Sequence, residues 1–382
     1  MKNDVVFLVA GERSGDQHAE ELLAALEALP RADKLSFHGI GGPNLAKRYG
    51  DQFEDWVEEA AVIGFTEVLK KYGWFKKKFA EVLERIFILQ PSVVILVDYP
   101  GFNLRIAKAL RKRGYEGKIC YYISPQVWAW NRSRIPKMAQ TLDLMLCVFE
   151  FEKALYEESG LQTEWVGHPM VEELEQQRLP IFRENGLVGL LPGSRRREVN
   201  SLLPPMLAAG EMVLAERPDV RFELAVPSQK IHDLAVTLMQ GSPLYPDHLS
   251  ISIGTSTRLM QQAETAWVAS GTASLEAGYY GLPYALVYKV SALTYMIAKA
   301  VIKIPYIGMV NVLADKLVVK ELIQSQATPQ NLSAEILAIL NSAKYRTEIT
   351  EELEKVKAML GGGGAHRKAA QAIATCVSNH PQ

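Results

Sequence analysis

Cysteine is scarce in this sequence and is never clustered. The three cysteines, Cys120, Cys147 and Cys376, are far apart and show none of the short spacings of a metal site or a disulfide framework. We therefore expect reduced, partly buried thiols in a cytosolic protein. The sequence has no cluster of histidine with cysteine either, so it predicts no metal site.

Long apolar runs and an excess of positive charge are also missing. No stretch reaches 18 uncharged apolar residues, and the nearest approach, residues 284–313, is interrupted by Lys289, Lys299 and Lys303. The first residues lack the cleavage site of a signal peptide and predict a first strand. A net charge of −1 lacks the basic balance of a general nucleic-acid binder, so no nucleic-acid partner is expected.

What the chain does contain is alternation of β-branched runs with helical patterns. The 382 residues exceed what one core usually holds. The alternation occurs twice, on either side of the polar stretch 171–186. It predicts an α/β protein with two doubly wound, Rossmann-like parallel-sheet domains. We predict domains at 1–170 and 187–355, with a last helix at 365–382 completing the first.

Two such domains facing each other would form a cleft, and ligands of open α/β sheets bind beyond the carboxyl ends of the strands. The first loop after a strand runs from Gly11 to Asp16. Its glycines would let the backbone approach a ligand, and Asp16 would cap the helix that follows. An ordinary capped turn and the floor of a binding site are equally consistent with this spacing.

Two further loops of the first half carry candidate chemistry. In V-D-Y-P-G-F-N, Asp98 directly follows a buried apolar strand, where a carboxylate can act as a general base or only form a turn. In S-P-Q-V-W-A-W-N-R-S-R, the aromatic side chains of Trp128 and Trp130 precede Arg132 and Arg134. Aromatic faces beside guanidinium groups suit a sugar, a phosphate or an acyl group, although tryptophan is more often a core residue.

The second half offers two loops suited to an anion. In L-P-G-S-R-R-R-E-V, a strand ends at a tight turn and Arg195 precedes a helix whose prolines are predicted near its start. Helix N-termini and arginine both favour phosphate. In S-G-T-A-S-L-E, Ser270 and Thr272 can hold a diphosphate, and Glu276, predicted in the first turn of a helix, can accept ribose hydroxyls or merely favour the helix dipole.

No D-x-D pair occurs in the chain. A sugar transfer would therefore not use a metal held by such a pair of carboxylates. The charge of a departing diphosphate would be met by arginine and helix ends instead.

Six motifs occur in the order found in lipid-A-disaccharide synthases: AGERSGD, VDYPGFN, SPQVWAW, VGHPM, LPGSRRREV and SGTASLE. The sequence resembles this family from Val5 to about Gln324. The resemblance implies the GT-B architecture of two facing Rossmann-like domains, with no cofactor. It also implies transfer of 2,3-diacylglucosamine from its UDP derivative to 2,3-diacylglucosamine 1-phosphate, which forms the β-1,6-linked lipid A disaccharide and releases UDP.

The resemblance also implies roles for individual residues. Asp98 would be the base that takes the proton of the acceptor 6-hydroxyl. The residues implied on the acceptor side are Gly11, Ser14, Gly15, Asp16, Ser124 and Trp128. The residues implied at the nucleotide are Arg195, Ser270, Gly271, Thr272, Glu276 and Asn311.

Two positions depart from the family pattern. The family usually has P-N-L-L-A-G where this chain has V-N-V-L-A-D over 310–315, so the reach of Asn311 is left open. Arg13 stands where a small residue or threonine is common.

Both implied substrates are acylated, so the resemblance implies a peripheral enzyme on the cytoplasmic face of the inner membrane in a Gram-negative-type bacterium. Trp74, Phe75 and Phe79 lie among five lysines in L-K-K-Y-G-W-F-K-K-K-F, a mixture that suits a membrane interface. A solvated helix with a buried stripe explains this segment equally well. The oligomeric state stays open, a homodimer included.

Two alternatives remain at this stage. Another UDP-sugar enzyme of the same architecture, an epimerase or a transferase with a soluble acceptor, would share the nucleotide loops but would not need S-P-Q-V-W-A-W. A non-catalytic lipid- or nucleotide-binding relative would be expected to have lost Asp98 or Glu276, and both are present.

Overall fold

The computed structural model of the chain describes residues 4–30, 34–60, 71–291, 295–296, 299 and 304–378. The chain divides into two compact units, the N-terminal unit Met1–Glu172 with Leu360–Gln382 and the C-terminal unit Glu173–Met359. Each unit has its own parallel sheet with helices. The prediction of two parallel α/β domains is confirmed.

The N-terminal sheet has seven parallel strands in the order β3-β2-β1-β4-β5-β6-β7. The strands are β1 Asp4–Ala10, β2 Leu35–Gly41, β3 Phe53–Asp55, β4 Val93–Val97, β5 Lys118–Tyr122, β6 Leu144–Cys147 and β7 Thr163–Trp165. The two central strands β1 and β4 pair in register up to Ala10 with Val97. The loops that leave them therefore begin side by side.

A first series of helices lies between these strands, and its last member follows β7 and crosses from the N-terminal unit into the C-terminal unit. Its members are α1 Arg13–Glu27, α2 Pro43–Tyr49, α3 Val57–Ala60, α4 Tyr72–Leu89, α5 Pro100–Lys112, α6 Val127–Trp130, α7 Ile135–Ala139, α8 Glu150–Glu157 and α9 Met170–Gln176. Successive residues of β1 contribute to two different apolar clusters, Phe7 and Val9 to one, Leu8 and Ala10 to the other. The sheet is thus buried on both faces, as its continuous apolar strands predict.

The C-terminal sheet has six parallel strands in the order β10-β9-β8-β11-β12-β13. The strands are β8 Glu184–Leu191, β9 Arg221–Val226, β10 Leu249–Ile253, β11 Ala263–Ala269, β12 Tyr284–Tyr288 and β13 Glu321–Ile323. The helices are α10 Arg196–Glu216, α11 Gln229–Met239, α12 Ser256–Gln262, α13 Thr272–Tyr279, α14 Met309–Ala314, α15 Pro329–Asn341 and α16 Ala343–Met359.

The last helix, α17 Ala365–Ser378, belongs to the N-terminal unit. Its apolar residues Ala369 and Ile373 join the cluster that contains Leu22 of α1. The buried imidazole of His366 contacts two neighbours: its Nδ1 lies 3.1 Å from the Tyr122 hydroxyl, and its Nε2 lies 2.7 Å from a Glu21 oxygen. Burial and these polar contacts both fasten α17 to α1 and β5.

The predicted position of the prolines in α10 is wrong. Pro204 and Pro205 lie inside α10, because the helix already begins at Arg196. Buried residues on both sides of the prolines, among them Val199, Leu203 and Met206, hold the helix through them, so tertiary burial outweighs the local cost of proline.

The membrane candidate 284–313 is described only in part. It begins with β12, and its residues 292–294, 297–298 and 300–303 lie outside the described residues. Among the residues that the structure describes, no helix combines the length and the apolar character that crossing a membrane requires.

Candidate active site

The opening motif is shorter as a loop than predicted. Helix α1 starts at Arg13, so only Gly11 and Glu12 separate it from β1, and Asp16 lies in its first turn. Asp16 therefore does not cap α1. Its buried carboxylate instead accepts hydrogen bonds from the backbone N–H groups of Gly42, at 2.7 Å, and Asn44, at 2.9 Å, and so caps the start of α2.

Residue 11 must be glycine because the loop that contains Asp98 and Tyr99 packs closely against it. A Cβ atom built on Gly11 would lie 2.3 Å from the ring of Tyr99. The Tyr99 hydroxyl donates to Ala60 O at 3.3 Å, and its ring stands edge-on to buried Trp56. Ser14 is exposed, and Gly15 is buried against the ends of β1 and β4. The Gly11–Asp16 segment, predicted on the acceptor side, and the loop of the predicted base Asp98 thus lie against each other.

Asp98 follows the last residue of β4, as predicted, and its backbone is strained. Both Asp98 and Tyr99 have positive φ, 45° and 49°, a conformation that residues other than glycine rarely adopt. The peptide is held by its neighbours: the Asp98 N–H donates to Tyr122 O at 2.9 Å. Its carbonyl accepts from the Tyr121 hydroxyl at 2.5 Å and the Asn103 amide at 2.7 Å. The carboxylate is therefore presented from a fixed point.

The Asp98 carboxyl group has the electrostatics of a general base. Burial raises its pKa to about 6, with a smaller contribution from the negative charge of Glu12. At neutral pH it is ionised, yet it is basic enough to take a proton from a hydroxyl group as a new bond forms.

Ser124 and Trp128 are held by a residue that the sequence patterns did not reveal. The buried Glu152 carboxylate accepts from the Ser124 hydroxyl at 2.6 Å and from the Trp128 indole N–H at 2.8 Å. It also accepts from the Phe149 N–H, three residues before it. Glu152 is the third residue of α8 and caps its start through the Phe149 N–H. A glutamate at this position after a strand is the feature of the sequence that could have revealed it. The acceptor-side role of both residues stays a prediction, and the structure adds that their polar groups fix the loop.

In the C-terminal unit, the two predicted anion loops line one cavity of about 330 Å³. One side is formed by Gly193, Ser194 and Arg195 before α10, and the other by Ser270, Gly271 and Thr272 at the start of α13. Two helix N-termini therefore border the same space. The arrangement suits a diphosphate, because helix N–H groups and arginine both stabilise anionic oxygens.

Glu198 also lines this cavity, and the sequence analysis missed it. Its carboxylate accepts from the N–H groups of Ser194 and Arg195 and from the Arg195 guanidinium, at 3.0–3.2 Å. Gly193 makes room for it: φ is 104°, and a Cβ there would lie 2.4 Å from a Glu198 oxygen. The signal was present in the sequence, since glutamate three residues after the N-cap is the capping-box position.

Glu276 lies one turn later than predicted. Helix α13 begins at Thr272 and has no acidic residue in its first turn. The helix dipole therefore does not account for Glu276. Burial, with a smaller effect from Glu173, raises the pKa of its carboxyl group.

Asn311 is fully buried in α14 and its amide is used within the protein. Its oxygen accepts from the N–H groups of Val318 and Val319, and its nitrogen donates to Val319 O and Glu321 at 2.8–2.9 Å. Any role of Asn311 at the nucleotide would thus be indirect, by holding the segment that contains Val318, Val319 and Glu321 in place. The departure at Asp315 is also explained: it has φ 50°, a conformation that favours glycine and that aspartate tolerates.

In the candidate docking helix α4, the rings of Trp74, Phe75 and Phe79 are partly buried against the core, whereas Tyr72 is 63% exposed. Trp74 stacks on Trp56 with ring centroids 5.8 Å apart, and Phe79 stands edge-on to Phe102. Lys78 pairs with Glu54 and Glu81. This is the arrangement of the solvated helix with a buried stripe.

The described residues include one group that could hold a metal ion, although none was predicted. Ligand atoms of His18, Glu21 and His366 lie within 4.8 Å of one another. Burial lowers the pKa of His18 to about 4, so its ring is neutral at pH 7. The polar contacts of His366 described above account for its position without an ion.

Comparison with known proteins agrees with the motifs. Residues 6–376 match the family model described as lipid-A-disaccharide synthetase. The lipid-A-disaccharide synthase of Trichlorobacter lovleyi is 36% identical over 380 residues, which cover 97% of this chain and 97% of the relative.

Two solved structures share the fold at low identity. The UDP-GlcNAc 2-epimerase of Neisseria meningitidis, bound to UDP-GlcNAc, has a TM-score of 0.61 at 11% identity and covers 98% of this chain and all of its own. The calicheamicin glycosyltransferase CalG4 has a TM-score of 0.59 at 12% identity, with both chains covered completely. These likenesses place the chain in the GT-B architecture. The family model and the full-length relative go further, and the chain belongs to the lipid-A-disaccharide synthetase family.

Proposed function

We propose that the protein is an inverting glycosyltransferase that moves 2,3-diacylglucosamine from its UDP derivative to the 6-hydroxyl of 2,3-diacylglucosamine 1-phosphate. The products are the β-1,6-linked lipid A disaccharide 1-phosphate and UDP. Family membership supports the formation of the lipid A disaccharide, and the site residues support the chemistry of the step.

The observation that carries the proposal is the strained, partly buried Asp98 at the end of β4. Its carboxylate takes the proton of the acceptor 6-hydroxyl while that oxygen attacks the anomeric carbon of the donor. The bond from the anomeric carbon to the β-phosphate oxygen breaks, and UDP leaves with the electron pair. A base whose pKa lies near the working pH is suited to this step.

The nucleotide would bind in the cavity of the C-terminal unit. Arg195 and the N-termini of α10 and α13 would meet the diphosphate there. Glu276 is not among the residues that line the cavity; it lies one turn further along α13, where it would accept the ribose hydroxyls. In this proposal no metal ion assists UDP departure, which rests on the lack of a D-x-D pair in the sequence. Turnover should therefore persist in excess EDTA, and strict dependence on Mg²⁺ would contradict this part.

The test is turnover of purified protein with UDP-2,3-diacylglucosamine, with products separated and identified. Disaccharide and UDP should appear together and only when the phosphorylated acceptor is supplied. An epimerase would instead interconvert the donor without acceptor, and a non-catalytic relative would bind UDP without turnover. Either result would overturn the proposal.

We also propose that the enzyme works as a peripheral protein at a membrane surface, since both substrates carry acyl chains. The packing of α4 leaves Lys76 exposed, whereas Lys77 and Lys78 have carboxylate neighbours. Sedimentation with anionic vesicles at rising salt concentration tests the attachment. Changing Lys76, Lys77 and Lys78 together to Gln should reduce it if α4 contributes, and unchanged binding would assign attachment to another segment.

A further inference from the structure

The N-terminal unit has a second cavity, of about 300 Å³, that none of the assignments above uses. It begins at Pro100 and Gly101, the first residues of α5 and only two residues after Asp98. The rest of its lining comes from α5 and from the segment around α7.

The charge of this cavity is entirely positive. Four cations line it, and no carboxylate does: Arg105, Lys108, Arg134 and Lys137. Within the described part of the chain, none of the four forms an ion pair with a carboxylate, whereas Arg111 of the same helix α5 pairs with Asp143. Like charges gathered in a concave surface repel one another and attract an anion.

Two further features point to an ordered anion site. The Arg134 guanidinium lies over the exposed ring of Trp130, 4.6 Å from its centroid, which restricts its orientation. Helix α5 begins at the cavity with Tyr99 as its N-cap, and the Tyr99 side chain does not cap it. The positive end of the helix dipole therefore adds to the four cations.

The neighbouring wall of the cavity is apolar, with Leu104, Met138 and Pro100. A ligand with both a compact anionic group and an apolar body fits this lining. Arginine binds two oxygens of a phosphate at once, and lysine adds point charges, so a phosphate monoester is the anion that these residues favour.

We propose that this cavity, lined by Arg105, Lys108, Arg134 and Lys137, binds the 1-phosphate of the acceptor and so selects the phosphorylated acceptor. This inference rests on the proposed function, because that reaction supplies an acylated phosphate monoester as the acceptor. The donor diphosphate would then occupy the cavity of the other unit. Trp130 and Arg134, which the sequence analysis singled out without a role, are positioning and binding residues of this site.

The test compares the parent with a variant carrying Arg105→Gln, Lys108→Gln and Lys137→Gln. Lys112→Gln is the matched control, since Lys112 is an exposed cation of the same helix outside the cavity. In detergent micelles, KM for the phosphorylated acceptor should rise about tenfold for each cation lost, the effect of one charge-assisted hydrogen bond. The kcat and the donor KM should stay within about threefold of the parent, and preference over the 1-dephospho acceptor should disappear.

A binding measurement separates this proposal from the proposed function. Soluble glucosamine 1-phosphate should perturb the NMR signals of the parent and of Lys112→Gln, but not those of the triple variant, whether or not the protein forms disaccharide. Full retention of the preference for phosphorylated acceptor in the triple variant would overturn the proposal. So would loss of binding to phosphatidylglycerol vesicles with unchanged acceptor preference, because the cavity would then bind a lipid headgroup. If the triple variant does not fold, the three single variants give the same comparison.

Discussion

The Asp98 loop and the glycine loops of the C-terminal unit differ in how firmly the protein itself holds their functional groups. Asp98 is partly buried, its backbone is strained, and its N–H and carbonyl are fixed by three neighbouring groups. Arg195 has a side chain that is 68% exposed, and its one ion pair among the described residues is with Glu198, three residues away. The backbone of the Asp98 loop is fixed by protein groups alone. In the other loop, Arg195 forms an ion pair with Glu198 at the position where we expect it to bind a phosphate.

The difference follows from the chemistry proposed for each loop. A base must hold its geometry and its pKa before the substrate arrives, because reorganisation during the step would add to the barrier. A nucleotide loop only has to bind, and an exposed arginine that exchanges one carboxylate for a phosphate does so at little cost. Substitutions should therefore affect rate in the first region and affinity in the second.

The largest effect is expected for Asp98→Asn. It removes the proton acceptor with little change in size, so kcat should fall by about 10²–10⁴ while UDP affinity stays near that of the parent. Steady-state kinetics and calorimetry with UDP measure the two. Activity within a few fold of the parent, with the fold intact, would remove Asp98 from the mechanism.

The same variant should be more stable than the parent above pH 6. Folding raises the pKa of Asp98 from 3.8 to about 6, so its charged form is disfavoured in the folded state. The resulting penalty is absent below about pH 4, grows as pH rises through the folded pKa and is then constant. Asn carries no such penalty, and thermal unfolding at pH 5 and pH 8 should show its advantage growing with pH.

The pH dependence of kcat/KM should show the titration of this base. The rate should be constant above about pH 7 and fall about tenfold per unit below about pH 6, because the protonated carboxyl group cannot accept a proton. Glu12→Gln should move the fall to lower pH, since the Glu12 charge helps raise the pKa of Asp98. Glu58→Gln, a change of an exposed carboxylate paired with Arg13, is the control and should leave the profile in place. If Glu12→Gln leaves the pH of this decrease in kcat/KM unchanged, a group other than Asp98 controls it.

Affinity rather than rate should change in the C-terminal unit. Arg195→Ala and Glu276→Ala should each weaken UDP binding by about 1.5–3 kcal/mol, the contribution of a charged hydrogen bond. Arg197→Ala is the matched control for Arg195→Ala, because Arg197 is an exposed arginine of the same run that does not line the cavity. Calorimetry measures all three. Equal UDP affinity in every variant would place the donor elsewhere.

Glu198→Gln should have the opposite effect on UDP affinity from Arg195→Ala. Gln can still accept from the Ser194 N–H, but it removes a negative charge from the cavity and releases Arg195. UDP binding should become tighter by about 0.5–1 kcal/mol, the scale of one partly exposed charge interaction. Weaker binding would show that the Glu198 charge orders the loop for the nucleotide rather than competing with it.

The sequence predicted well what is local to one strand and the loop after it. Asp98 at the end of β4 and the two glycine loops before α10 and α13 could be located because a buried strand followed by a turn is a continuous pattern. The strands β2, β3 and β13 were not predicted. β3 and β13 have only three residues each, and β2, L-S-F-H-G-I-G, contains two glycines and a histidine that weaken its apolar signal.

Contacts between distant segments could not be predicted in the same way. Asp16 caps a helix that starts at Pro43, and Glu152 binds side chains of the preceding loop, which only the folded sheet brings together. For the same reason the sequence showed no cluster of His18, Glu21 and His366. Local spacing identified the candidate functional residues. It did not identify their hydrogen-bond partners within the protein, and these partners decide which candidates remain available to a ligand.

The smallest effect should come from Asp315, which separates backbone strain from chemistry. Asp315 and Asp98 have nearly the same φ, 50° and 45°, but Asp315 only ends a helix. Asp315→Gly should change the free energy of unfolding by less than about 1 kcal/mol, because relief of the left-handed strain is offset by the entropy of glycine. Asp98→Gly relieves the same strain, yet it should lose as much activity as Asp98→Asn, since both lack the carboxylate. If Asp98→Gly kept near-parental kcat, the backbone turn and not the carboxylate would be what the reaction needs. Denaturation curves and kinetics on the three variants therefore decide whether the Asp98 loop differs from the rest of the molecule in its chemistry or only in its conformation.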